Sequence, residues 1–111
     1  MFGFGKSKAI RELTPQELAG MLDRGEAIVV DVREPGELAA ARIRGSVNMP
    51  LSRFGAQALP DGRGRQVILT CAAGRRSALA LAQCARAGVE VDTHLGGGMG
   101  AWMRAGLPVE R

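Results

Sequence analysis

Two short stretches, "AIVVDVR" (residues 27–33) and "QVILTC" (residues 66–71), limit what this chain can fold into more than any other feature. Each is a nearly continuous apolar run rich in β-branched residues, the pattern of a strand buried on both faces. Helical patterns separate and follow them. Strands alternating with helices imply an α/β domain with an open, mostly parallel sheet and helices on both faces.

The helical segments carry their own start and stop signals. In "LTPQELAGMLDRGE", Thr14 is placed to cap, Pro15 to be the first helical residue and Glu17 to complete a capping box. Leu13 and Leu18 can form a hydrophobic staple, Leu18, Met21 and Leu22 form the apolar stripe, and Gly25 ends the helix. "PGELAAAR" reads as a short helix, "GSVNMP" as a short extended piece and "LPDGRGR" as a turn-rich loop. "RRSALALAQCARAG" reads as a helix with Ala78, Leu81, Ala82 and Ala85 on one face and Gly88 as its stop. "VEVDTHL" reads as a third strand, "GGG" as a tight turn and "MGAWMRAG" as a last short helix.

Composition removes several function classes. No apolar run approaches the ~20 residues that span a membrane. The N-terminal "MFGFGKSK" lacks a signal peptide's apolar stretch and cleavage site, so a cytoplasmic location is the default expectation. Those eight residues read as a frayed tail; residues 1–10 are expected to form a flexible N-terminal tail and 11–111 a single domain. One His and two Cys leave no material for a metal site, and none is expected. The net charge of +4 is mostly arginine, with Lys6 and Lys8 the only lysines. It favours anionic substrates or acidic protein surfaces. The arginines are scattered and aromatic residues few, which is no nucleic-acid signature. Abundant Ala, Arg and Gly with little Lys point to a GC-rich bacterial genome.

The chemistry lies in "CAAGRRS", residues 71–77. Cys71 ends a buried strand, and a helix begins a few residues later. In parallel sheets, sites form beyond the carboxyl ends of strands. Loop N–H groups and the helix's positive end then converge on the sulfur, with Gly74 letting the chain curl tightly. Two guanidinium groups, Arg75 and Arg76, add positive charge. All of this favours thiolate, so the thiol pKa is expected below the free value of about 8.5. The expectation is a nucleophilic, partly exposed sulfur. The other reading of such a residue is a buried, inert thiol.

These residues carry a family resemblance. "CAAGRRS" resembles the active-site loop of rhodanese domains, Cys-x-x-Gly-x-Arg-Ser/Thr. "VVDVREPGE", "RIRGSVNMPL" and "LGGGMGAWMRAGLPV" resemble three further segments of that family in the right order. The resemblance covers nearly all of the chain beyond residue 10. It implies a rhodanese-like fold with a five-stranded, mostly parallel sheet. It also implies a sulfurtransferase in which Cys71 takes a sulfane sulfur from a donor, forms a persulfide and passes it to cyanide or a thiol. The implied partners are a small anionic donor such as thiosulfate, or a protein persulfide, and a thiol acceptor protein. No cofactor, nucleic acid or membrane is implied, and a monomer is expected. Rhodanese-fold phosphatases and arsenate reductases have a longer Cys-x5-Arg loop; here only four residues separate Cys71 from Arg76. A shorter loop makes a tighter ring of amides, sized for the outer sulfur of a persulfide rather than a phosphate.

The expected roles follow. Cys71 is the nucleophile, and Ala72, Ala73, Gly74, Arg75, Arg76 and Ser77 form the cradle. Arg76 braces the loop or binds the donor's anionic end. Arg75 is either solvated or in contact with substrate, and Ser77 either caps the helix or donates to the persulfide. Asp31 and Arg33 match family positions and are expected to hold loops together. Cys84 reads as a core residue rather than a resolving thiol. His94 reads as a satisfied or half-exposed side chain rather than a general base, and Trp102 as a core anchor. The chain departs from the family at Ala72, often basic there, and at Arg42, where the family has His. The first departure leaves the donor open; the second is expected to change a rim contact. The alternative function is a rhodanese-like module for protein binding or persulfide sensing with little turnover.

Overall fold

The two apolar runs pair directly with each other. In the computed structural model, which describes residues 9–111, β2 (Ala27–Asp31) and β4 (Gln66–Thr70) lie side by side in parallel, Ala27 opposite Gln66 and Asp31 opposite Thr70. The frayed tail read for residues 1–8 lies outside the described residues. Three shorter strands complete the sheet: β1 (Arg11–Leu13), β3 (Val47–Asn48) and β5 (Thr93–Leu95). The order is β1-β5-β4-β2-β3, and every pairing is parallel.

Side chains alternate across the pleat. On one face Val29 and Ile68 pack with Leu18 of α1 (Pro15–Asp23) and with Met99 and Trp102 of α4 (Gly98–Arg104). On the other, Val30, Leu69 and Cys71 pack with Ala80 and Leu81 of α3 (Arg75–Arg86). The fourth helix, α2 (Pro35–Ala40), follows β2. The capping box of α1 is formed: Glu17 N–H donates to Thr14 Oγ1 at 3.1 Å, and Thr14 N–H to Glu17 Oε1 at 2.8 Å.

The topology positions the site. From β2 the chain moves outward to β3, whereas from β4 it moves the opposite way to β5. The connections leaving β2 and β4 therefore part, and open α/β sheets bind ligands in the crevice at such a point. The loop after β4 is residues 71–74, and the segment after β2 contains Arg33 and leads into α2.

Three local expectations are corrected. Residues 11–13 form a strand the sequence did not signal, because Arg-Glu-Leu is charged and pairs only along one edge, with β5. The third strand is confined to 93–95; Val89 N–H is taken by the Cys84 carbonyl and Val91 N–H by that of Val89. Helix α3 buries Ser77, Ala80, Leu81 and Cys84, while Ala85 is exposed. An alanine-rich helix carries only a weak stripe, and the hydrogen bonds of Ser77 decide its rotation. Arg42 forms a two-bond antiparallel bridge with Glu110, fastening the C-terminus beside α2.

Ile68 is wholly buried in the central strand. Ile68→Ala is expected to lower the unfolding free energy by about 2–5 kcal/mol through the cavity it leaves. Urea unfolding followed by Trp102 fluorescence checks this.

Candidate active site

The site starts from a carbonyl arrangement. At the end of β4 the carbonyls of Cys71 and Ala72 accept from the N–H groups of Met99 (2.8 Å) and Gly100 (2.9 Å), in the first turn of α4. With those two carbonyls turned to α4, the amides that follow are free to face the sulfur. Such close approach needs a bare backbone. A Cβ on Gly98 would overlap the Cys71 carbonyl oxygen and come within 2.7 Å of the Ala72 carbonyl carbon. The "GGG" turn is therefore a packing surface for the loop.

Gly74 then reverses the chain with a left-handed φ of 102° and stands as the N-cap of α3. Gly74 N–H points to Cys71 Sγ at 3.1 Å, and Ser77 N–H at 3.3 Å. Ser77 does not cap the helix. It lies in the first turn, wholly buried, with its Oγ 3.5 Å from Sγ and 3.3 Å from the Gly74 carbonyl. Burial pushes the Cys71 thiol up, but the Ser77 hydroxyl and the amides of Ser77, Gly74 and Ala73 outweigh it and bring the thiol below its ordinary value. The sulfur is not partly exposed as the sequence led us to expect: Cys71 is 1% exposed. Amides close enough to solvate a thiolate also wrap over it.

Arg76 is engaged by a carboxylate. Its two terminal nitrogens bind Glu37 at 2.7 and 2.9 Å, a bidentate pair that joins α3 to α2. Glu37 also accepts from Glu34 N–H at 2.9 Å. Arg76 lowers the Glu37 carboxyl from 4.5 to about 2, against a smaller opposing effect of burial. Arg75 is exposed on the same first turn, as is Ala73 in the loop, while Ala72 is half-buried.

Asp31 and Arg33 meet as a buried ion pair. Arg33 Nη2 donates to Asp31 Oδ2 at 2.7 Å and to the Ala41 carbonyl at 2.8 Å, and Nε reaches both carboxylate oxygens. Asn48 Nδ2 donates to the carbonyls of Asp31 and Arg33. The pair holds the exit of β2 against the end of α2. Cys84 is buried and unpaired on α3, its thiol raised by burial. A groove lined by Leu22, Ile43, Trp102 and Leu107 shares no residue with the loop.

For two residues at this site, Glu37 and His94, the sequence names no partner. Glu37 stood in a motif but had no partner until the fold put it beside Arg76, 39 positions away. His94 is buried against Ser77, with Nδ1 2.7 Å from its hydroxyl. No sequence signal singles out either contact.

This loop geometry accompanies a family match. The model of the rhodanese-like domain family matches residues 14–105. The chain belongs to that family. A Synechocystis protein of uncharacterised function is 41% identical over 96 residues, covering 86% of this chain and 54% of its own length. The chain thus spans about half of that relative. A protein named sulfurtransferase from Allochromatium vinosum is 30% identical over 101 residues, covering 90% of this chain and 94% of its own. Among solved structures, a rhodanese-related protein from Thermoplasma volcanium superposes with a TM-score of 0.76 at 31% identity, over 90% of this chain and 97% of that one. This rhodanese-like domain thus shares its five-stranded parallel architecture with solved relatives. No helix among the described residues is long and apolar enough to cross a membrane.

Glu37 has a folded pKa below its ordinary value, so its contribution to stability is present above pH 4.5 and is lost as pH falls toward about 2. Glu37→Gln is expected to destabilise the domain at neutral pH by on the order of 1 kcal/mol or less, because the pair is partly solvated. The difference from wild type is expected to shrink through that acid window, as measured by urea unfolding at a series of pH values.

Proposed function

We propose that this domain is a sulfurtransferase that carries sulfane sulfur as a persulfide on Cys71. The carrying observation is the convergence of the Gly74 and Ser77 N–H groups on Sγ, at 3.1 and 3.3 Å. Donors in this arrangement stabilise a negative sulfur as an oxyanion hole stabilises an alkoxide. With thiosulfate as donor, the Cys71 thiolate attacks the outer sulfur, the S–S bond of thiosulfate breaks, and sulfite leaves with the bonding pair. The product is a Cys71 persulfide anion. An acceptor thiolate or cyanide then attacks the terminal sulfur and restores the Cys71 thiolate. Charge is conserved at each step, and no cofactor is needed.

The remaining residues take supporting parts. Ala72 to Ser77 form the cradle, with Gly74 supplying its curvature. Arg76 braces the loop through Glu37. Arg75, exposed on the first turn of α3, is available to an anionic donor or an acidic acceptor surface. Asp31 and Arg33 keep the facing connection in place. The two cysteines are unpaired, which suits a reducing, cytoplasmic setting. Support also comes from the sulfurtransferase name of the Allochromatium relative, which matches over nearly its whole length.

Incubation with thiosulfate followed by intact mass measurement tests this reading. The expected result is a gain of one sulfur atom, removed by cyanide and absent in Cys71→Ala. A gain only with a protein or small-molecule persulfide would identify those as donors and attribute the loss of thiosulfate to Ala72. No gain with any donor would overturn the transferase and leave a protein-binding or sensing module. A second variant probes the cradle. Gly98→Ala is expected to abolish sulfur loading, since its Cβ displaces the Cys71 carbonyl, and circular dichroism would report whether the fold survives.

A further inference from the structure

His94 has no part in the chemistry above, yet it is 2% exposed and both ring nitrogens are engaged. Nδ1 lies 2.7 Å from Ser77 Oγ, and Nε2 lies 3.2 Å from Glu12 Oε2. Ser77 Oγ in turn lies 3.5 Å from Cys71 Sγ. A continuous polar line therefore runs from the sulfur through α3 and β5 to β1. The ring also lies against the loop, its Cε1 3.9 Å from where a Cβ on Gly74 would sit.

The sulfur needs an outlet for its proton. The amides that face it can only donate, so they stabilise a thiolate without being able to take the proton away. Cys71 is almost completely shielded from bulk water. The Ser77 hydroxyl both donates and accepts, but it carries one hydrogen and must pass on what it receives. Beyond it stands an imidazole nitrogen.

We propose that His94, acting through the Ser77 hydroxyl, takes up the proton that leaves Cys71, while Glu12 holds the ring in the tautomer that keeps Nδ1 free to accept. With the thiol intact, Cys71 S–H donates to Ser77 Oγ, Ser77 O–H donates to Nδ1, and Nε2–H donates to Glu12. On ionisation the S–H bond breaks and its proton joins Ser77 Oγ, while the former Ser77 proton joins Nδ1. A thiol and a neutral imidazole become a thiolate and an imidazolium; nothing is oxidised, and net charge is unchanged. Ser77 then donates to Sγ and accepts from Nδ1–H. Glu12 of β1 faces the far side of the ring, and β4 presents Leu69 in register with His94. On the sulfur's side, Arg76 is occupied by Glu37. His94 is thus a positioning residue, one hydroxyl removed from the reacting atom.

This inference deepens the sulfur-transfer reading and rests on it for its purpose, but it is read from the ionisation of Cys71, with no donor present. The pH profile of iodoacetamide alkylation at the Cys71 peptide is compared between wild type and His94→Gln, with circular dichroism verifying the fold. The variant is expected to react about tenfold more slowly at neutral pH, its profile displaced upward by about one unit. A folded variant with an unchanged profile overturns the proposal. Should the variant not fold, nitrogen NMR of the His94 ring in wild type and Cys71→Ala decides. The wild-type ring is expected to hold a second proton at pH values where the ring of Cys71→Ala is neutral; identical titrations overturn the proposal. A His94-dependent profile in a protein that no donor loads would sink the transferase and leave the relay standing. Sulfur loading with an unchanged profile would do the reverse.

Discussion

Two main-chain hydrogen bonds, from Met99 N–H to the Cys71 carbonyl and from Gly100 N–H to the Ala72 carbonyl, set the direction in which the loop points. A peptide unit carries its donor and acceptor on opposite sides, so fixing carbonyls outward constrains where the neighbouring amides can go. The N–H groups of those two units belong to Ala72 and Ala73; beyond them the amides of Gly74 and Ser77 meet at one sulfur. Apart from the Ser77 hydroxyl, side chains contribute little to this cradle, which is why alanine can occupy two of its positions. The tightly placed backbone of α4 is the counterpart, and it is available only because Gly98 has no Cβ to intervene.

Around that cradle the charged residues serve mainly to hold connections together. Arg76 spends both terminal nitrogens on Glu37, and Arg33 spends Nη2 on Asp31 and the Ala41 carbonyl and Nη1 on the Glu37 carbonyl. Both guanidinium groups bind in a planar, multidentate way that a lysine could not reproduce. Together they fasten α2 to the exits of β2 and β4, the two connections that diverge at the switch point of the sheet. The positive charge left at the loop is that of Arg75 and of the first turn of α3. The site is thus a mildly positive, backbone-lined cradle around a buried sulfur.

The buried line from Cys71 to Glu12 adds a second layer beneath the cradle. Its members come from the loop, α3, β5 and β1, so it forms only when the edge strand docks. This gives a purpose to a three-residue strand with two charged residues, whose pairing alone would stabilise it little. It also accounts for the rotation of α3, since Ser77 must face inward for the line to close.

Periodicity and local chemistry determined much of this protein in advance. The apolar runs of β2 and β4 could only be sheet interior, and the signals at Thr14, Pro15 and Glu17 fixed the start of α1, because both depend on residues close in sequence. The loop was legible for the same reason: Cys71, Gly74 and the helix that follows lie within one turn of one another. Tertiary structure alone decided what depends on distant segments. The partner of Arg76, the inward face of α3, the strand at residues 11–13 and the engagement of His94 all join residues far apart in the chain. A sequence pattern records which face of an element is apolar. It does not record which polar group will stand opposite a given side chain, because that is settled only when the sheet order brings two segments together.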